Sequence, residues 1–176
     1  RKFSKTINVP FPWGAPLSGV ADEADIAWYQ REIKVPAAWK GKRTFLTVGA
    51  SDWETTVYLD GKELGKHQGG YTPFSFELTS FLKYDSPQRI SIRVDDKRRQ
   101  FTLYGKQGYG NARGIWQTIY LEARGQNHLD ALHFSPDIDN NKVKVNAYLP
   151  APASIDLQLE LKVAGKTSTQ KIAAGS

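Results

Sequence analysis

A chain of 176 residues that is 40% hydrophobic and 24% charged has enough apolar material for one large domain, or for one domain and part of a second, and this excludes a disordered chain. Zero Cys excludes disulfides, thiolate metal sites and Cys nucleophiles together, and no apolar run reaches the roughly 18 residues that a membrane-spanning helix needs. The net charge of +6 raises nucleic acid as a partner, but basic residues alternate with acidic ones, and the densest run, Lys97-Arg98-Arg99, follows directly on Asp95-Asp96. Nucleic acid is set aside on that footprint, leaving an anionic glycan or a solvated surface as uses for the excess charge.

The chain opens on Arg1, contains no Met and stops at Ala173-Ala174-Gly175-Ser176, which reads as a cut segment. No retained signal peptide is present in it. A signal removed upstream stays open, and a periplasmic or secreted setting is preferred to the cytoplasm.

Taken in chain order, the first break falls at Val35-Pro36. Thr56-Val57-Tyr58-Leu59 and Lys62-Glu63-Leu64-Gly65 then flank Asp60-Gly61, the signature of a type I′ hairpin in which both central residues need positive φ. Gly69-Gly70 breaks the chain again before Phe74-Ser75-Phe76-Glu77-Leu78-Thr79, whose alternation predicts a half-buried strand. After Ser86-Pro87 the same alternation returns in Ile90-Ser91-Ile92-Arg93-Val94-Asp95, followed by a Gly-rich stretch from Gly105 to Gly114 and a strand around Ile119 and Leu121. Beyond Gly125-Gln126-Asn127 the aromatics thin out, and Val143–Ala147 and Ile155–Leu161 predict Val/Leu-rich strands. No window carries a sustained helical stripe with caps.

The fold class expected is therefore all-β, with residues 1–126 as a sandwich and residues 127–176 as the start of a second one. Fifty residues hold three or four strands, too few for a seven-stranded immunoglobulin sandwich, so the second domain is expected to be truncated. Unpaired edges and an open apolar face there predict a homodimer or strand exchange through residues after about Asn127.

Two carboxylate pairs come close in sequence, Asp52 with Glu54 and Asp95 with Asp96. Residues two apart on a strand share a face at about 6.5–7 Å, whereas adjacent ones point to opposite faces. Both pairs sit at strand ends, where Asp is ordinarily a turn or solvent residue. His67, His128 and His133 lie in separate segments without a ligand spacing, so no metal site and no cofactor is expected. His67 beside Gln68 reads as a structural hydrogen-bonder.

The ordered set Trp28-Tyr29-Gln30-Arg31, Val48-Gly49-Ala50-Ser51-Asp52-Trp53, Val57-Tyr58-Leu59-Asp60-Gly61-Lys62, His67-Gln68-Gly69-Gly70-Tyr71-Thr72-Pro73-Phe74, Arg93-Val94-Asp95-Asp96, Gly105-Lys106-Gln107 and Gly114-Ile115-Trp116-Gln117 resembles the N-terminal sugar-binding domain of glycoside hydrolase family 2 over residues 7–124. Gln30 departs from a common Arg, Asp60 from a common Asn, and the link from Gln107 to Gly114 is shorter than in many members. The resemblance implies a galactose-binding-like jelly roll, then an immunoglobulin-like domain, then a catalytic (β/α)₈ barrel in cis. Retaining glycosidases use two carboxylates about 5–5.5 Å apart, and in this family both belong to the barrel, so no residue of this segment is expected to be catalytic and the segment alone is expected to be inactive.

Carried over, Asp96 hydrogen-bonds a sugar hydroxyl or helps hold a bound cation at the pocket rim, with Asp95 beside it. Its plainer reading is a cap on the loop ahead of the basic run. Trp13 and Trp53 are the expected exposed rings that stack on sugar, and Trp116 reads as core. The parent activity implied is hydrolysis of β-glycosides, β-galactosidase first, with a uronic-acid substrate second because of the basic balance. An autonomous carbohydrate-binding module tethering the enzyme to polysaccharide is the alternative.

Overall fold

The alternation read along residues 90–95 builds the centre of the fold in a computed structural model that describes residues 3–22, 24–97 and 113–176. The expected motif Gly105-Lys106-Gln107 and the basic pair Arg98-Arg99 lie outside the described residues. Among the described residues there are thirteen strands and three three-residue 3-10 turns, the first of them ahead of β1. The chain divides into two units, Arg1–Ala123 and Arg124–Ser176.

In the first unit, β1 (Ile26–Lys34) is followed by β2 (Arg43–Val48), β3 (Ser51–Asp52), β4 (Glu54–Leu59), β5 (Lys62–Gln68), β6 (Phe74–Glu77), β7 (Pro87–Asp95), β8 (Gly114–Ile115) and β9 (Ile119–Arg124). One sheet runs β1-β7-β4-β5, the other β6-β2-β9, and β3 pairs with β8 as a short antiparallel link. β7 buries Gln88, Ile90, Ile92 and Val94 and turns the residues between them outward. Ile90, Ile92 and Val94 meet Val57 and Leu59 of β4 and Leu46 and Val48 of β2 in one core cluster, each apolar side chain contributing about 1.5–3 kcal/mol on burial. β7 lies between β1 and β4 in continuous antiparallel register, so its end at Asp95 falls beside Ile26 and Glu54.

The Asp60-Gly61 hairpin forms as expected, with Leu59 opposite Lys62 and φ of 49° and 85° at the two turn residues. Asp60 does more than turn the chain. Its carboxylate accepts the Arg89 amide at 2.8 Å and the Gln88 amide group at 3.1 Å, tying the hairpin to β7, and the Arg89 bond leads the causes that hold it below the usual carboxylate range.

The second unit consists of two hairpins, β10 (Ala131–Asp137) with β11 (Lys142–Tyr148) and β12 (Leu157–Val163) with β13 (Lys166–Ile172). β12 begins at Leu157, two residues later than its alternation suggests. On β10, Leu132 and Phe134 sit across from Ala147 and Val145 and remain half exposed. Asn127 anchors the loop ahead of β12 by accepting the Ser154 amide at 3.0 Å.

Candidate functional site

The site is built on a floor under Gly114. This residue pairs with Asp52 across β3 and β8 and has φ +81°, a conformation that side-chain-bearing residues rarely take. An added Cβ would lie 2.1 Å from the Trp13 ring and 2.3 Å from the Tyr29 hydroxyl, so only Gly lets the strand close on that floor. Trp13 is 5% exposed, tilts against Tyr29 at 6.1 Å, and donates from Nε1 to the Ala24 carbonyl at 3.1 Å. The expectation of an exposed, sugar-stacking Trp13 is therefore corrected: the ring fills the interior beneath Gly114 and its one polar atom is spent on the backbone. Tyr29 takes the Ile115 amide on its hydroxyl oxygen at 3.3 Å, and burial pushes its phenol well above the ordinary value, so it stays neutral.

Four charged groups converge on this floor. Arg113, 8% exposed, donates from Nη1 to the Ala24 carbonyl at 3.0 Å and to Asp25 Oδ1 at 3.3 Å, and its Nε lies 3.9 Å from Asp96 Oδ2. The Asp96 amide donates to the Asp25 carbonyl at 2.8 Å, which fixes where the carboxyl leaves β7. Asp52 closes the group from the β3 side. Gly70 presses on its carboxylate so tightly that an added Cβ would sit 2.7 Å from Oδ1. Desolvation raises the Asp52 pKa. Asp96 is raised to about 6, first by desolvation and then by the charge of Asp52, with Arg113 pulling the other way and Asp25 and Asp95 adding smaller repulsion. A carboxyl that exchanges its proton near pH 6 can donate to an acceptor below that pH and accept from a hydroxyl above it.

Asp95 turns elsewhere: its Oδ2 takes Arg93 at 2.7 Å and its Oδ1 takes the Lys97 amide at 3.3 Å. Glu54 is engaged elsewhere, by Gln68 at 2.7 Å and Arg93 at 3.9 Å. Trp53 is half-buried and its carbonyl accepts the Gly69 amide at 3.0 Å. Trp116 is half-buried rather than core. Its Nε1 donates to the Gly70 carbonyl at 2.7 Å, and it meets Tyr71, 84% exposed, edge to face at 5.8 Å. His67 packs instead of bonding, stacked on Phe74 at 4.1 Å with Nε2 buried and unpartnered.

Sequence reasoning missed Arg113, Asp25, the pairing of Asp52 with Asp96, and Tyr71. The available signals were the Gly69-Gly70 pair beside an aromatic and the Arg113-Gly114 step. Among the described residues no three His, Asp or Glu side chains converge tightly enough to hold a metal ion. A cavity of about 800 Å³ lies along β1 and β9, lined by Ile33, Leu46, Ile90 and Leu121, by the basic Lys5 and Arg31, and by Tyr29 and Ile115 of the floor, with no acidic or imidazole group among its described residues.

The chain as a whole has relatives among known proteins. A family model described as "Glycosyl hydrolases family 2, sugar binding domain" matches residues 2–123. The chain is 27% identical to a β-galactosidase of Thermoanaerobacter pseudethanolicus over 64% of its own length and 16% of that protein's. It is 27% identical to a β-glucuronidase of Formosa agariphila over 82% of its length and 15% of that protein's. It thus spans about one-sixth of these curated relatives. Among solved structures, Bacteroides uniformis β-glucuronidase 2, covalently bound to cyclophellitol-6-carboxylate aziridine, superposes with a TM-score of 0.73 at 23% identity, covering 98% of this chain and 23% of that one, a likeness of fold. With the family model matching most of its length, the chain belongs to glycosyl hydrolase family 2, in that family's sugar binding domain.

Proposed function

We propose that the chain is the non-catalytic sugar-binding part of a retaining β-glycosidase and that its Asp52–Asp96–Arg113 end rims the substrate pocket of a catalytic barrel in the same polypeptide. One observation carries the reading: a half-buried carboxyl raised to about 6 stands beside a second desolvated carboxylate and a buried guanidinium where the end of β7 meets the β3–β8 link. Perturbed, converging polar groups on rigid elements are what a sugar-recognising rim requires. Asp96 serves as a hydrogen-bond partner for a sugar hydroxyl, and Arg113 positions it.

Between the two activities named among the relatives, β-glucuronide hydrolysis is favoured over β-galactoside hydrolysis. The support is the net charge of +6, which suits an anionic uronide, together with the β-glucuronidases among the relatives, which align over 54–93% of this chain beside β-galactosidases at 64% and 71%. The test is turnover of methyl β-D-glucuronide and methyl β-D-galactoside by the 176-residue chain and by the polypeptide that carries it. Turnover only by the polypeptide, faster on the glucuronide, is expected. Hydrolysis by the isolated chain would overturn the non-catalytic reading, and preference for the galactoside would reverse the order of substrates.

A further inference from the structure

Tyr71 has no role in the arrangement so far and is the most exposed ring near it. At 84% exposure it leaves its faces open to solvent, yet it is not loosely placed. Trp116 meets it at 5.8 Å with the ring planes 73° apart, and Trp116 is itself pinned by its Nε1 bond to the Gly70 carbonyl at 2.7 Å. Gly70, one residue before Tyr71, is the residue whose backbone presses on the Asp52 carboxylate. Adjacent Cα atoms are about 3.8 Å apart, so the Tyr71 backbone lies one residue from contact with the carboxylate cluster. Single exposed aromatics are ordinary on protein surfaces. An exposed ring braced by a second aromatic, beside desolvated carboxylates, is a different arrangement. It joins an apolar face for the C–H side of a pyranose to acceptors for its hydroxyls, which is the pairing of surfaces a sugar presents.

We infer that Tyr71, braced by Trp116, is a stacking subsite for a second pyranose unit of an oligosaccharide, next to the sugar that the Asp52–Asp96 end contacts. This rests on the proposed role of Asp96 and adds to it a preference for substrates whose leaving group is itself a sugar. Methyl glycosides lack that second ring and gain nothing from Tyr71.

The experiment compares Tyr71→Ala and Tyr71→Phe in the complete polypeptide on a methyl β-glycoside and on the corresponding β-linked disaccharide. Tyr71→Ala is expected to raise KM for the disaccharide about three- to tenfold and leave the methyl glycoside unchanged, the size expected for one lost ring stack. Tyr71→Phe keeps the face and is expected to match the wild type on both. An equal effect of Tyr71→Ala on both substrates would make Tyr71 a packing residue and overturn the inference, as would no effect on either. Asp96→Asn, run on the same two substrates, separates the premises. If it changes neither, the reading of Asp96 fails, whereas the failure of Tyr71 is read from the methyl and disaccharide pair alone.

Discussion

The carboxyl of Asp96, one residue past the end of β7, stands within the field of Asp52 on β3. Their repulsion adds to desolvation, and Arg113 Nε at 3.9 Å offsets only part of it. Asp52→Asn removes the repulsion and keeps the shape, so the Asp96 midpoint is expected to fall from about 6 toward the ordinary carboxylate value. Carboxyl-carbon NMR titration of the two proteins reads it. An unchanged midpoint would mean that desolvation alone sets the value.

Linkage turns the same shift into a stability profile. The Asp96 pKa is higher folded than unfolded, so between about pH 4 and pH 6 the folded state binds more protons and stability falls as pH rises. Asp96→Asn should therefore raise stability at pH 7.5 by on the order of 1 kcal/mol once solvent screening is allowed for, seen as a higher melting temperature, and give no gain at pH 4. Asp60 has the opposite sign. Its pKa is lowered, so its contribution is full above the unfolded value near 4 and is lost as pH falls through the folded one. Asp60→Ala is expected to destabilise at pH 7.5 by about 1–2 kcal/mol through its lost backbone and Gln88 bonds, with a smaller deficit in acid. Thermal melts at the two pH values check both signs.

Gly114 supports the site from below. Gly114→Ala must move Trp13 or Tyr29, or force a positive φ on a side-chain-bearing residue, and a loss of at least about 2 kcal/mol in urea unfolding is expected. Trp13→Ala is expected to cost about 3–5 kcal/mol as a cavity under the strand, a fold defect and not a selective loss of sugar contact. A Trp13→Ala protein with wild-type stability would restore the ring as a surface residue.

What could be read from the chain was local. Asp60-Gly61 announces its turn because both residues must take positive φ, and Ile90 to Asp95 announces its buried face because each second side chain points inward. The site was harder because its contacts are long-range. Arg113 reaches Asp25 across 88 positions and Trp116 reaches Gly70 across 46, and no period or spacing encodes such meetings. The burial of Trp13 is hidden from the sequence for the same reason: it depends on Gly114 closing over it from the far end of the unit. Asp96 is legible through the family resemblance at its strand end, whereas nothing in the chain alone marks Asp52 over Asp95 as its main acidic neighbour.

The central claim is that Asp96 touches sugar. Its most direct test is kcat/KM for the preferred methyl β-glycoside with wild-type polypeptide and Asp96→Asn at pH 7.5. Loss of a charge-assisted hydrogen bond predicts a fall of about tenfold or more, with a folded-state stability no lower than the wild type. Equal kcat/KM in the two proteins would contradict the account.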